Sequence, residues 1–429
     1  MTSQGDAPAA SAYPLSPQQA RAWQCQQWSM APRSQCALRG VAPEFQVGLQ
    51  DRLDRCVQAF EVMRTAFIQP PGMTQPVQAV GCAARPEVVL HDWRDREAPS
   101  QRDGVESIYR QLLSAPVECN HTSVLAVHLI RLSSDEYLLV LSAPALLTDG
   151  PGLLNLAAAL AGAGMEEEPI QYLDVASALN ESLEGALANQ GSAWWSRALL
   201  DLPGSPLLCG EREASPDGQV EALGLPLDDA LAAGLSGLGD RARAVLLGAW
   251  MVLLWRAGRR SELAVAVACD GRDDVELAEV LGPLTRHLPL RATLDPRQSF
   301  ESFAGRLHEQ IDSMLEWQDY YPAQSLSTAD GRGFLPWGFS LVCVPEGLPE
   351  VERYTALEER FHLHLAVRRQ GGRWQLELLF DPARFSSPAM ATLLGQLRTL
   401  LGSVVATPGL AVGAHGHVAD AERMGLLGG

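Results

Sequence analysis

The sequence predicts an α/β protein made of two layered domains. The chain has 429 residues, which is long for one hydrophobic core and natural for two. Helix-type and strand-type patterns are mixed in both halves of the chain, as expected for sheets covered by helices. Hydrophobic residues make up 47% and charged residues 20%, the composition of an ordinary globular protein. We therefore expect two α/β sandwiches.

Apolar spacing predicts the elements of the first half. Residues 49–67 carry apolar side chains every three or four positions, which predicts an amphipathic helix. Two strands joined by a hairpin turn, a sharp break and a helix are expected next. In that order they are 124–130 and Tyr137–Ala143 with the turn Ser133–Glu136, then Asp149–Gly152, then Leu153–Leu160.

The second half shows the same mixture of periods. Asp240 is the expected cap of a buried helix that ends at Gly258. Another amphipathic helix spans Ser299–Trp317, and Ser387-Pro388 begins a third that runs to Val405. The predicted strands are Leu263–Ala268, Trp337–Val344, Phe361–Val367 and Arg373–Phe380.

Composition shifts suggest the domain boundaries. A glycine-rich, polar stretch at about 204–222 indicates a connection between the two domains. Both ends of the chain are rich in small residues and are expected to be loose. The expected parts are a disordered N-terminus 1–12, a first subdomain 13–175, a connecting region 176–222, a second subdomain 223–406 and a tail 407–429.

Charge and cysteine content exclude several classes of function. The net charge of −18 argues against binding to nucleic acid or to anionic lipid, because both need clustered cations. None of the eight cysteines forms a CxxC pair, which argues against a zinc or redox motif. The longest strongly apolar run, Ala244–Trp255, is 12 residues and too short to span a membrane. With no signal-peptide pattern at the start, a cytoplasmic protein is expected.

Six stretches stand in an order that points to one family. They are Leu15–Trp23, Glu61–Phe67, Tyr137–Gly150, Gly282–Arg291, Gln318–Pro322 and Asp420–Leu427. Together they resemble the ordered motifs of the condensation domains of nonribosomal peptide synthetases. The departures from the family pattern resemble those of its interface and X-type members, which lack the active-site histidine.

The resemblance implies a fold and a set of partners. The fold would be two chloramphenicol-acetyltransferase-like sandwich subdomains in a V-shaped pseudo-dimer. A tunnel between them would admit the 4′-phosphopantetheine arms of two carrier proteins. The implied partners are a peptidyl carrier protein and the adenylation domain of the same synthetase, and the tail 407–429 resembles the linker to that domain. The protein itself is expected to bind no cofactor and no metal.

The residue that carries the family's chemistry is absent. The family signature is HHxxxDG, and its second histidine stands where amine and thioester meet. Pro144 and Ala145 occupy the two histidine positions in this chain, ahead of Asp149 and Gly150. A methyl group can neither transfer a proton nor donate a hydrogen bond, so we assign no catalytic residue and treat both positions as vestigial.

Other histidines do not replace the missing one. His128 is predicted to lie opposite Leu141, about 13 Å along the strand from position 145 at the usual rise per residue. His362 and His364 alternate with apolar residues on one strand, and a solvent or groove face is the expected environment. The acidic pair Glu358-Glu359 is likewise expected to be a solvated surface.

The remaining motif residues have structural or lining roles by resemblance. Arg64 is expected to form a buried ion pair with Asp149 beneath the loop that leads to Gly150. The tunnel-lining candidates are Ala145, Arg286 and Gln318. Arg286 replaces the family's asparagine, and Gln318 replaces a histidine.

Three functions are compatible with this pattern. The first is an inactive domain that recruits a tailoring enzyme, such as an oxygenase acting in trans, to an amino acid on a carrier protein. The second is an acyl or peptidyl transferase that joins a carrier-bound thioester and an amine by proximity alone. The third is a relic that only spaces its neighbours.

Overall fold

The structure, a computed structural model, describes most of the chain. The described residues are 12–26, 32–41, 46–81, 85–115, 125–162, 168–200, 202–213, 219–322 and 334–416. The helices are α1 (Pro17–Gln26), α2 (Leu49–Ala59), α3 (Ala98–Leu113), α4 (Gly150–Ala161), α5 (Tyr172–Ser182), α6 (Ala188–Ala198), α7 (Asp229–Gly237), α8 (Ala242–Gly258), α9 (Phe300–Glu316) and α10 (Ser387–Ala406). The strands are β1 (Ala12–Tyr13), β2 (Arg33–Val41), β3 (Thr65–Ile68), β4 (Val77–Val80), β5 (Val88–Asp92), β6 (Ala126–Arg131), β7 (Tyr137–Pro144), β8 (Glu221–Pro226), β9 (Glu262–Cys269), β10 (Arg286–Thr293), β11 (Trp337–Cys343), β12 (Glu350–Leu357), β13 (Leu363–Gln370) and β14 (Arg373–Phe380).

The chain forms two compact units that are not continuous in sequence. The first unit comprises Met1–Ala186, Asp270–Thr285 and Pro345–Glu359. The second unit comprises Leu187–Cys269, Arg286–Val344 and Arg360–Gly429. Two short segments therefore belong to the first unit although their sequence neighbours belong to the second. We call Asp270–Thr285 the first returning segment and Pro345–Glu359 the second. The domain boundaries set from composition stay a prediction.

The first unit is organised around a five-stranded sheet in the order β12-β2-β7-β6-β5. Its third strand, β7, is buried at every position, as expected for a strand covered on both faces. The predicted hairpin between β6 and β7 is confirmed, and the amide of Leu132 donates to the carbonyl of Glu136 at 2.9 Å. His128 pairs opposite Val140, so the predicted register was wrong by one residue.

The second unit contains a six-stranded sheet in the order β10-β9-β11-β13-β14-β8. Helix α8 is buried along almost its whole length and packs against α9 and α10. By length and composition α10 could cross a membrane. Its buried leucines, however, lie in the same core cluster as α8, so one face of α10 packs on the core of the second unit.

Some predicted boundaries were wrong for local reasons. The helix expected over 49–67 ends at Ala59, because Phe60 is extended and a 3₁₀ turn leads into β3. Asp240 does not cap α8; it lies in a preceding 3₁₀ turn, and no side chain caps the helix start. The tail was expected to be loose, and residues 407–410 are exposed, but Val412 is fully buried and His415 is 3% exposed.

Candidate functional site

The signature loop, residues 144–150, connects β7 to α4. Pro144 ends β7, and its carbonyl accepts the amides of Leu147 and Thr148 in a tight turn. The amide of Ala145 donates to the carbonyl of Pro32 at 2.9 Å. Asp149 then caps α4, its carboxylate accepting from the amide of Gly152 at 2.9 Å. The carbonyl of Leu146 accepts from the side-chain amide of Gln19 at 3.1 Å, so the backbone of the loop is bonded along most of its length.

Position 145 is filled by apolar packing. Ala145 is 2% exposed and belongs to a small buried cluster in the first unit. The other buried members are Leu15, Ala20, Ala22, Phe67 and Leu146. An imidazole at this position would have to displace some of these side chains, which typically costs about 1–3 kcal/mol. Position 145 thus carries a buried methyl group with no titratable atom, and its vestigial role stays a prediction.

Asp149 is the centre of a buried hydrogen-bond network. One carboxylate oxygen, Oδ2, accepts from the Arg272 guanidinium at 2.8 Å, from the amides of Leu284 and Thr285 at 2.8 Å each, and from the Thr285 hydroxyl at 2.9 Å. The other oxygen accepts from Arg272 at 2.9 Å, besides the Gly152 amide. Burial by itself raises the pKa of Asp149, but the charge and hydrogen bonds of Arg272 outweigh it and hold the pKa below its usual value.

The partner of Asp149 is Arg272, and the expected pairing with Arg64 was wrong. The Nε of Arg64 is buried and has no hydrogen-bond partner among the described residues. Arg272 lies at the start of the first returning segment and also donates to the carbonyls of Val280 and Gly282. Its guanidinium therefore joins the signature loop to that segment. No motif marks Arg272 in the sequence, because its role depends on a chain path that returns to the first unit.

Tyr172 holds the same returning segment from a second side. Its hydroxyl donates to the carbonyl of Pro283 at 2.8 Å and lies 2.6 Å from the hydroxyl of Ser16. A Cβ at Gly282 would lie 2.0 Å from the Tyr172 ring, so only glycine fits there. The motif glycine at 282 is thus explained by close packing, and the motif serine at 16 by a hydrogen bond.

The acidic pair at the end of β12 is part of the site, and its expected role as a solvated surface was wrong. Glu358 accepts the amide of Gly150 at 2.7 Å. Glu359 accepts two hydrogen bonds from Arg21, at 2.6 and 2.8 Å, and this ion pair is largely buried. Burial of the Glu358 carboxyl, together with the nearby charge of Asp149, raises the pKa of Glu358 to about 8. The pair therefore binds two motif regions that are far apart in sequence.

Tyr354, also on β12, packs against the signature loop. A Cβ at Gly150 would lie 1.8 Å from the Tyr354 hydroxyl, which explains why glycine stands there. That hydroxyl is buried and has no hydrogen-bond partner among the described residues. The sequence gives no signal for Tyr354 and a misleading one for Glu358, because both come from a segment about 200 positions beyond the loop.

The other two lining candidates lie in the second unit. Arg286, the first residue of β10, is 8% exposed and pairs with Asp319 at 2.8 Å. Gln318 begins the 3₁₀ turn Gln318–Tyr320 next to that aspartate. Ala323, another departure from the family pattern, lies outside the described residues. A lining role for Ala145, Arg286 and Gln318 stays a prediction.

The strand histidines of the second unit are buried rather than solvated. His362 is 3% exposed, and its Nδ1 lies 3.3 Å from the carboxylate of Glu211. His364 is 1% exposed, and its Nε2 lies 2.8 Å from the Ser340 hydroxyl. The solvent face was therefore the wrong expectation, and the groove face stays a prediction. Across the part of the chain that the structure describes, no three His, Cys, Asp or Glu side chains are grouped to hold a metal ion.

The sequence comparison identifies the family. The condensation-domain family profile, described as "Condensation domain", matches residues 9–330. The chain belongs to the condensation-domain family. It is 23% identical over 409 residues to the chondramide synthase of Chondromyces crocatus, covering 88% of this chain and 10% of that protein. It is 28% identical over 296 residues to the AMB antimetabolite synthetase of Pseudomonas aeruginosa, covering 65% of this chain and 13% of the relative.

Solved condensation domains share the fold. The condensation domain of the monacolin K polyketide synthase superposes with a TM-score of 0.78 at 18% identity, covering 94% of this chain and 99% of that one. The first condensation domain of the calcium-dependent antibiotic synthetase gives a TM-score of 0.80 at 17% identity, with the same coverages. The expected fold class, α/β of the chloramphenicol-acetyltransferase type in two sheet-containing halves, is confirmed. This condensation domain spans about a tenth of the length of the curated relatives it matches.

Proposed function

We propose that this condensation domain is catalytically inactive and works as a protein-interaction platform. It would recruit a tailoring enzyme, such as an oxygenase acting in trans, to an amino acid tethered on a carrier protein. Its other partners would be a peptidyl carrier protein and an adenylation domain of the same synthetase. The 4′-phosphopantetheine arm would belong to the carrier, and the cytoplasm would be the location.

The observation that carries this proposal is the apolar packing at position 145. The family places an imidazole there because that ring can donate or accept a proton near neutral pH. Ala145 offers a methyl group inside a cluster of leucine, alanine and phenylalanine side chains. Pro144, at the other histidine position, lacks a backbone N–H and has no titratable group. Neither residue can take part in amide formation.

The buried polar scaffold around the loop is intact. The Asp149 carboxylate receives six hydrogen bonds, and Arg272 gives it a buried counter-charge. Glu358, Tyr354 and Tyr172 still fit the glycines of two motifs. An unused domain would be expected to lose such buried polar networks, because each tolerates few substitutions. An intact buried network around a loop that carries no reactive group supports a role in binding.

The recruitment proposal is tested by removing the domain. Residues 1–406 are deleted from the parent synthetase, and modification of the tethered amino acid is followed by mass spectrometry of the carrier arm. The isolated domain is separately immobilised and presented with the purified tailoring enzymes of the pathway. We expect modification to fall after the deletion and one tailoring enzyme to be retained. Modification at an undiminished rate, with no enzyme retained, would refute recruitment. The domain would then be a relic that only spaces its neighbours.

A further inference from the structure

Besides Asp149, a second carboxyl group contacts the signature loop, and the proposed binding role does not use it. Glu358 accepts the Gly150 amide at 2.7 Å, while the neighbouring Asp149 carboxylate faces the first returning segment. Solvent reaches part of Glu358, yet its carboxyl end is bonded to the loop backbone. Two carboxyl groups thus lie at adjacent residues of the loop, one on Asp149 and one bonded to Gly150, and Arg272 is bonded to the Asp149 carboxylate.

The charges around Glu358 favour its neutral form. Asp149 is ionised, since its pKa lies below the usual value, and it opposes a second negative charge. Arg272 and the Gly150 amide favour ionisation, but burial and Asp149 outweigh them and raise the pKa of Glu358 to about 8. On the preceding strand β12, Tyr354 stays neutral because burial raises its pKa well above the usual value. The adjacent Glu359 is engaged by Arg21.

We propose that Glu358 makes the signature loop sensitive to pH: it holds the Gly150 amide as a neutral carboxyl group, and its ionisation is coupled to opening of the loop. The reason is electrostatic. In the closed loop an ionised Glu358 would face Asp149 within a buried network, where charge repulsion is weakly screened. In an open loop the carboxylate would reach water. The closed loop therefore binds one proton more than the open loop.

The sign of the effect follows from this proton. Glu358 has an ordinary pKa of 4.5 in water and about 8 in the closed loop. Below pH 4.5 Glu358 is protonated in both the closed and the open loop, and the free-energy preference for the closed loop is at its maximum. As the pH rises toward 8, the ratio of open to closed loop increases by up to about tenfold per pH unit. Above that value the dependence levels off, because the closed loop has lost its proton as well.

Hydrogen exchange across the loop tests the proposal. Deuterium uptake of peptides that cover residues 145–155 is measured by mass spectrometry from pH 5 to pH 9, with labelling times corrected for the intrinsic exchange rate. We expect the protection of these peptides to fall as the pH rises and then level off near pH 8. Glu358→Gln keeps an acceptor for the Gly150 amide but cannot ionise, so its protection should be independent of pH.

A matched substitution controls for surface charge. Glu346 is exposed and lies in the same returning segment, so Glu346→Gln should keep the wild-type pH dependence. Circular dichroism checks that each variant is folded before exchange is measured. Wild-type protection that is flat across the range, or an equal slope in the wild type and Glu358→Gln, would overturn the proposal. Neither result depends on recruitment or catalysis, so the test is independent of the proposed function.

Discussion

The choice between Arg272 and Arg64 as the partner of Asp149 can be decided by double-mutant cycles. Asp149 is 1% exposed and Arg272 has 6% of its side chain exposed, so each charge depends on the other for compensation. Replacing Arg272 with methionine leaves a buried carboxylate without its counter-ion, which is expected to cost about 3–5 kcal/mol. Asp149→Asn leaves the buried guanidinium unpaired and should cost a similar amount.

The coupling between the two substitutions is the decisive quantity. Once one of the two charges has been removed, removing the other eliminates an unpaired buried group. The double variant should therefore lose much less unfolding free energy than the two single variants lose together. We expect a coupling of about 3 kcal/mol for Asp149 with Arg272. The matched cycle with Arg64→Met should give less than about 0.5 kcal/mol, because those residues share no bond. Urea unfolding followed by circular dichroism measures all variants. A larger coupling with Arg64 than with Arg272 would refute the network described here.

Further predictions concern the packing and charge around the loop. Gly150→Ala should lower the unfolding free energy by roughly 1–3 kcal/mol, because its Cβ would overlap the Tyr354 hydroxyl. Tyr354→Phe should leave the wild type unchanged or slightly more stable, since it removes an unpaired buried hydroxyl, and it should reduce the cost of Gly150→Ala; urea midpoints of the four proteins check both. The lowered pKa of Asp149 contributes stability above its ordinary value of 3.8 that is lost as the pH falls through the folded-state value. Arg272→Met removes the cause of that lowering, so the difference in unfolding free energy between wild type and Arg272→Met should narrow as the pH falls below 3.8. His362→Ala should destabilise the second unit by roughly 1–3 kcal/mol, measured by thermal unfolding, because Glu211 loses a buried partner.

Apolar periodicity predicted the bounds of several helices and strands closely. Strand Arg373–Phe380 matches its predicted bounds, and α9 differs by one residue at each end from the predicted Ser299–Trp317. Periodicity failed at 49–67, where a helix, a 3₁₀ turn and a strand share one apolar spacing. Apolar spacing cannot distinguish a helix from a strand over about four residues, because such a short stretch is compatible with both the helical and the strand repeat.

The site was less predictable than the fold because its polar partners come from distant segments. Ala145 and Asp149 were found from the motif, and the importance of Asp149 follows from its network. Arg272 and Glu358 carry no local signal, since their roles arise when two segments return to the first unit. Glu358 was taken for a solvated acid because a pair of glutamates usually is one. Only the chain path reveals that it contacts Gly150.

Amide formation tests the central claim most directly. The isolated domain is incubated with two carrier proteins, one loaded with a donor acyl group and one with an acceptor amino acid, and the product on the acceptor arm is quantified by mass spectrometry. An active condensation domain serves as the positive control, and a reaction without any domain sets the background. Because Ala145 cannot transfer a proton and is enclosed by apolar side chains, we predict no amide above that background. Ala145→His should not restore full activity, since the ring has no prepared space. Product from the wild-type chain at a rate comparable to the active control would contradict the account and favour an acyltransferase that works by proximity.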